Sequence, residues 1–148
     1  MIVVKTTTDL HSPIYQDALA IRQTVFVQEQ HVPVDLEVDD NEAKTIYFVA
    51  YIDGQPAGCA RLLPQSDQDF NLIQRVAVLK AFRKHHVGAT IIQAVISYHQ
   101  AHYPKVHLQL GAQTQAVGFY ESLGFAVIPT DPPYLDAGIV HREMRYNQ

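Results

Sequence analysis

The sequence has no tryptophan, one cysteine and two methionines, and its apolar runs are short. A lone cysteine, Cys59, excludes an internal disulfide and a paired-cysteine metal site. No apolar stretch approaches the ~18–20 residues that a helix needs to cross a bilayer, so no membrane partner is expected. Charge of one sign is also scarce. Eleven Lys and Arg stand against 15 Asp and Glu, a formal net charge of −4, which argues against the basic face of a nucleic-acid binder. The start, Met1-Ile2-Val3-Val4-Lys5-Thr6-Thr7-Thr8, lacks the basic-then-apolar layout of a secretory leader. The expected location is the cytoplasm. Repeats, low-complexity tracts and dividing linkers are missing too.

What is present suits one folded unit. The 148 residues are 47% hydrophobic, and a chain of this size buries ~68–70% of its unfolded surface. One domain over 1–148 is expected. The odd number is the eight histidines.

The hydrophobic pattern sets the element order. Val, Ile and Thr near the start suit a strand. Ser12-Pro13 then offers a helix cap and a first-turn proline. Ile14, Ala18, Ile21, Val25 and Phe26 recur at helical spacing, to an end near Glu29 or Gln30. Asp35, Glu37, Asp39, Asp40 and Glu42 form an acidic loop. Strands over Ile46–Ile52 and Pro56–Leu63 flank an Asp53-Gly54 hairpin signal, and a strand over about Phe70–Leu79 completes a meander. Helices are expected over Val87–His102 and Gln113–Leu123, the latter stopped by Gly124. Strands are expected over Val106–Leu110, Phe125–Ile128 and Ile139–Tyr146. The order β-α-β-β-β-α-β-α-β-β predicts an α/β (α+β) fold, a mixed sheet covered by helices.

Chemistry concentrates in Gln74–Thr90, a strand that turns into a helix. Free amides and the dipole at a helix start bind phosphate. Arg83 and Lys84 add charge there, and Gly88 admits close backbone approach. These residues describe a diphosphate cradle, or a plain solvated turn. The acidic loop is either a solvated surface or an attractor of cations. Asp35, Glu37 and Asp39 alternate as calcium ligands do, but Asp40 stands where a calcium loop needs glycine, and no metal is expected. His99 and His102 suit a helix C-terminus, where imidazolium favours the dipole. Gly118 within a helix reads as a tolerated glycine or a site of close packing.

The same segment resembles the acetyl-CoA motif of the GNAT N-acetyltransferase superfamily. That motif is Arg/Gln-x-x-Gly-x-Gly/Ala after Val-x-Val-x-x-x-aromatic. Here Val76-Ala77-Val78 and Phe82 precede Arg83-Lys84-His85-His86-Val87-Gly88. His86 replaces the first glycine. If a positive φ is needed there, histidine is among the more tolerant substitutes. Downstream, Gln113-Thr-Gln-Ala116-Val-Gly-Phe119-Tyr120-Glu-Ser-Leu-Gly124-Phe125 is similar to the family's Asn-x-x-Ala-x-x-Phe-Tyr-x-x-x-Gly-Phe. The element order matches the GNAT fold, a mostly antiparallel central sheet flanked by helices. Val25-Phe26-Val27-Gln28-Glu29-Gln30-His31-Val32-Pro33, Glu37-Val38-Asp39 and Pro133-Tyr134-Leu135-Asp136-Ala137-Gly138-Ile139-Val140-His141 resemble the ElaA-like branch. Asp136, Ala137 and Val140 depart from its more usual Glu-Asp-Gly-Ile-Pro-His.

The resemblance implies an acetyl-CoA-dependent N-acetyltransferase acting on a small-molecule or peptide amine, with acetyl-CoA as co-substrate and no metal. A catalytically weak acyl-CoA-binding module, serving as a sensor or regulatory partner, is the alternative. Backbone contacts to the co-substrate fall on Val76, Ala77 and Val78. The diphosphate meets Arg83, Lys84, His85, His86, Val87, Gly88 and Ala89, with Gln113 and Phe119 from the second motif. Tyr120 is the general acid for the thiolate. Glu37 and His141 are candidate bases, with a relaying water as a third option. Family analogy extends to a homodimer.

Overall fold

The computed structural model describes residues 1–147, with the side chains of all of these except residues 35 and 36. The strands are β1 (Ile2–Thr7), β2 (Ile46–Ile52), β3 (Gln55–Leu63), β4 (Phe70–Val78), β5 (His107–Gln113), β6 (Phe125–Val127), β7 (Tyr134–Asp136) and β8 (Ile139–Tyr146). The α-helices are α1 (Pro13–Arg22), the single turn α2 (Val34–Glu37), α3 (Val87–His102) and α4 (Val117–Ser122). The strands form one sheet in the order β1-β2-β3-β4-β5-β8-β6, with β7 on β8. Among the described residues only β4 and β5 pair in parallel; every other pair is antiparallel. Among the described residues no helix is long and apolar enough to cross a membrane.

Alternation along the strands supplies two apolar faces. On β2, Ile46, Phe48 and Ala50 point toward α3, where Val87, Ile91, Ile92, Val95 and Ile96 meet them. Tyr47 and Val49 point the other way, onto Tyr15, Ala18, Ile21 and Val25 of the first helix. That helix starts as its sequence suggests: the Ser12 hydroxyl accepts from the Ile14 amide at 3.1 Å, with Pro13 in the first turn, a cap worth ~1 kcal/mol.

The structure departs from the sequence reading at four points. The first helix does end at Glu29, but Gln23–Glu29 is wound as a π-helix. The second-motif helix opens with a 3-10 turn, Thr114–Ala116, before α4. β7 is an extra strand inside a proline-containing loop, so its pattern was too short to read. His99 is a correction. It is fully buried, with Asn71 Nδ2 donating to its Nε2 at 3.2 Å. Burial lowers its pKa, so it is held neutral rather than serving as a charged helix end. His102 does sit at that end, exposed and bonded through Nδ1 to the Tyr98 carbonyl at 2.9 Å.

Candidate active site

The site begins where the sheet splits. β4 pairs with β5 over Phe70–Ile73 against His107–Leu110 and then stops, while its pairing with β3 continues to Val78. A bulge accounts for the split. Gln74 pairs with Arg61 and Ala77 with Cys59, so Arg75 and Val76 together oppose Ala60. Arg75 takes φ +56°. An extra residue bends a strand and increases its twist. It also exchanges the faces, since side chains alternate with period two: Ile73 faces the α3 core, whereas Ala77 faces α1. The edge of β4 that faces β5 therefore leaves the ladder at the residues expected to meet the acyl thioester, Val76 to Val78.

A cavity of about 340 Å³ occupies the gap. Gln74, Arg75 and Val76 line one wall, and Gly111, Ala112 and Gln113 line the other. Tyr120 comes in from α4, and Tyr134, His141 and Glu143 come in from β7 and β8.

Beside the splay lies the start of α3. Its helical bonding opens with the Thr90 amide on the His86 carbonyl at 3.0 Å, so the amides of Val87, Gly88 and Ala89 have no intrahelical partners. No side chain caps them. His86 takes φ +62°, the left-handed conformation anticipated for the position of the missing glycine, and Lys84 takes φ +68°. Gly88 packs closely: a Cβ there would stand 3.3 Å from the Phe119 ring and 3.7 Å from Val78. The two sequence motifs thus touch each other. Lys84 and His85 are exposed. Arg83 turns away from the helix start. Its Nε donates to the Val78 carbonyl at 2.9 Å, and its other nitrogens pair with Glu29 at 2.6 and 2.9 Å. Gln113 donates to Gln30 at 3.0 Å, tying β5 to the first helix.

Three acids of the loop are turned inward. Arg22, 1% exposed, holds both carboxylate oxygens of Glu37, at 2.6 and 3.1 Å, and both of Glu42, at 2.8 and 3.0 Å. Arg61 pairs with Glu42 and Asp39 at 2.7 and 2.8 Å, and Arg75 reaches Asp39 at 3.2 Å. This corrects the reading of a solvated or cation-attracting loop: these charges are neutralised inside the fold. It also sets Glu37 apart as a candidate base. The residue does border the cavity, but both of its carboxylate oxygens already accept from the Arg22 guanidinium. The Asp35 side chain lies outside the described residues.

The remaining chemistry lies behind the splay. Tyr120 is 7% exposed, and burial pushes its pKa up, so its hydroxyl keeps its proton. His141 is 9% exposed. Its Nδ1 donates to the Ile139 carbonyl at 2.7 Å. Its ring stacks on Tyr134, with centroids 5.6 Å apart. The Tyr134 hydroxyl donates to Glu143 Oε1 at 3.0 Å, and Gln109 Nε2 donates to Oε2 at 3.2 Å. Sequence reading did not select Glu143. Alternation along β8 carried the signal, because Glu143 shares a face with His141. Arg75 and Tyr134 had no comparable signal: one depends on a bulge and the other on a three-residue strand.

Comparison with known proteins agrees with this geometry. The family described as Acetyltransferase (GNAT) domain matches residues 12–148. The uncharacterized N-acetyltransferase YjcF of Bacillus subtilis is 36% identical over 129 residues, 87% of this chain and 89% of that protein. Protein ElaA of Escherichia coli is 33% identical over 126 residues, 83% and 80% of the two chains. The crystal structure of ElaA superposes with a TM-score of 0.85 at 25% identity, covering 99% of this chain and 100% of the other. A GNAT family acetyltransferase from Elizabethkingia anophelis with acetyl-CoA bound shares the fold, with a TM-score of 0.61, 18% identity and coverage of 97% and 94%. The chain belongs to the GNAT acetyltransferase family, whose members carry out acyl-CoA-dependent acyl transfer. Within that family it is ElaA-like.

Proposed function

We propose that this protein transfers an acetyl group from acetyl-CoA to the nitrogen of a primary amine. The observation that carries the reading is the splay of β4 from β5 beside the uncapped start of α3, with Tyr120 on the cavity wall. The residues suit the group. Amides of Val87, Gly88 and Ala89 would hold the diphosphate, with Lys84 beside them. The left-handed turn at His86 presents those amides, and the absent Cβ of Gly88 leaves the space. Gln113 lines the cavity and the Phe119 ring lies against Gly88, and the open edge of β4 at Val76–Val78 would take the pantetheine and the acyl carbonyl.

Bound acetyl-CoA supplies a carbonyl carbon open to attack and a sulfur that leaves. The chain's own residues supply the rest. Amides of the β4 edge are preorganised donors for a developing oxyanion, each worth ~2.7–4 kcal/mol where such donors have been removed. The Tyr120 hydroxyl delivers a proton to the departing sulfur. Burial raises the Tyr120 pKa, so the hydroxyl carries the proton it donates.

Binding tests the cradle directly. Acetyl-CoA should raise the melting temperature of the wild-type protein, because a ligand of the native state stabilises it. Gly88→Glu should abolish that shift through bulk and charge. An equal shift in both proteins contradicts the cradle.

A further inference from the structure

We propose that Glu143, held by Tyr134 across the bare backbone of Gly111, receives the acceptor amine as its ammonium ion and takes its proton. The inference rests on the acetyl-transfer reading above and names the base and the substrate's charge state for that site.

The two glutamates on the cavity wall differ in their partners. Glu37 is neutralised by Arg22. Glu143 receives only neutral donors among the described residues, the Tyr134 hydroxyl and the Gln109 amide. Among the described residues its carboxylate has no salt-bridge partner, and only the neighbouring His141 ring offsets its charge in a half-buried site, which suits a cation of matching size. The groups facing it are known from each element: Tyr134 on β7, His141 on its own strand, Asp131 in the loop before β7, and Arg145, occupied by Gln109 Oε1 at 2.6 Å. The arrangement is built around Gly111. The residue pairs with Glu143 across β5 and β8, and a Cβ on it would lie 1.9 Å from the Tyr134 hydroxyl oxygen. Glycine is what lets the hydroxyl lie over β5 and reach the carboxylate.

The step balances. The ammonium N–H proton passes to a Glu143 oxygen, and the freed nitrogen lone pair forms the C–N bond to the thioester carbon. The C–S electron pair leaves with sulfur, which takes the Tyr120 proton. The nitrogen, cationic once the C–N bond has formed, gives up its second proton to water; Tyr120 regains a proton from water and Glu143 releases its own there, so that amide, CoA thiol and one free proton result. Burial raises the Glu143 pKa first of all, and the Tyr134 hydrogen bond moderates the rise. A carboxylate whose proton affinity is raised in this way is a better base than an exposed one.

The test compares Glu143→Gln, Tyr134→Phe, Gly111→Ala and His141→Gln, with butylamine, spermidine and a lysine peptide as acceptors. Glu143→Gln should lower kcat/KM at pH 7 by about 100-fold or more, recovering at high pH where the amine is already neutral, with acetyl-CoA affinity unchanged. Carboxyl NMR gives a readout without turnover. Glu143 should titrate above ordinary glutamates, and Tyr134→Phe and Gly111→Ala should raise it further by removing the donor. A Glu143→Gln rate within threefold of wild type from pH 6 to 9, a Glu143 titration unmoved by Tyr134→Phe, or a loss confined to His141→Gln overturns the assignment. Wild-type protein that binds acetyl-CoA but acetylates none of the amines instead overturns the transfer reading on which it rests.

Discussion

At the scale of single residues, environment separates side chains that composition cannot. Cys59 is 1% exposed, and burial pushes its thiol up to about 12. A thiol held protonated is a weak nucleophile. Cys59 should resist iodoacetamide in the folded protein and react after denaturation; rapid labelling of the native state contradicts its burial. Tyr120 is read from its motif and Glu37 only from its place in the acidic loop, and their surroundings set them further apart. Tyr120 faces the cavity with its proton retained, while Glu37 spends its charge on Arg22. Tyr120→Phe should keep acetyl-CoA affinity and slow turnover wherever chemistry limits the rate. Unchanged turnover under those conditions removes its role as acid. Arg22→Met strands Glu37 and Glu42 without their shared partner. A loss of ~3–5 kcal/mol is expected, as for other buried pairs broken from one side, measured by urea unfolding.

At the scale of elements, most of the frame is legible because its periods are long and its stops are chemical. Val87–His102 is a helix over the limits read from its apolar face, and Gly124 takes φ +102° where a helix-ending glycine was expected. Gly118 proves to be the tolerated kind, since a Cβ there meets nothing within 4 Å. What could not be read depends on the register between paired strands. The bulge at Arg75 exists only relative to β3, and β7 only relative to β8. The cavity follows from the first, and the Tyr134–Glu143 contact follows from the second. His86 joins the two kinds of information: local rules allowed a left-handed histidine, and the fold required one. His86→Gly should therefore keep acetyl-CoA affinity and leave stability unchanged or raise it by up to ~1 kcal/mol. His86→Val should lose stability, because a β-branched residue resists positive φ. Equal stability of the two variants contradicts the strain argument.

At the scale of the whole molecule, one buried ionic cluster joins the first helix, the acidic loop, β3 and β4 beneath the cavity. Burial opposes the charge of Glu42, but Arg22, the Tyr15 hydroxyl and the Asp39 amide outweigh it and hold its carboxyl at about 2. The folded value lies below the ordinary ~4.3. Its contribution to stability is therefore complete above that value and is lost as pH falls toward 2. Melting temperatures should decline over that window, and Glu42→Gln should flatten the decline. An identical acid profile in the variant contradicts the assignment. The central claim, however, concerns the cavity: acyl-CoA and an amine meet where β4 leaves β5. The most direct test is to follow CoA thiol release from acetyl-CoA with and without a panel of primary amines. The account predicts release that depends on at least one amine, with N-acetylated product in equal amount. Tight acetyl-CoA binding with no amine-dependent release on any member of the panel contradicts it and identifies a binding module instead.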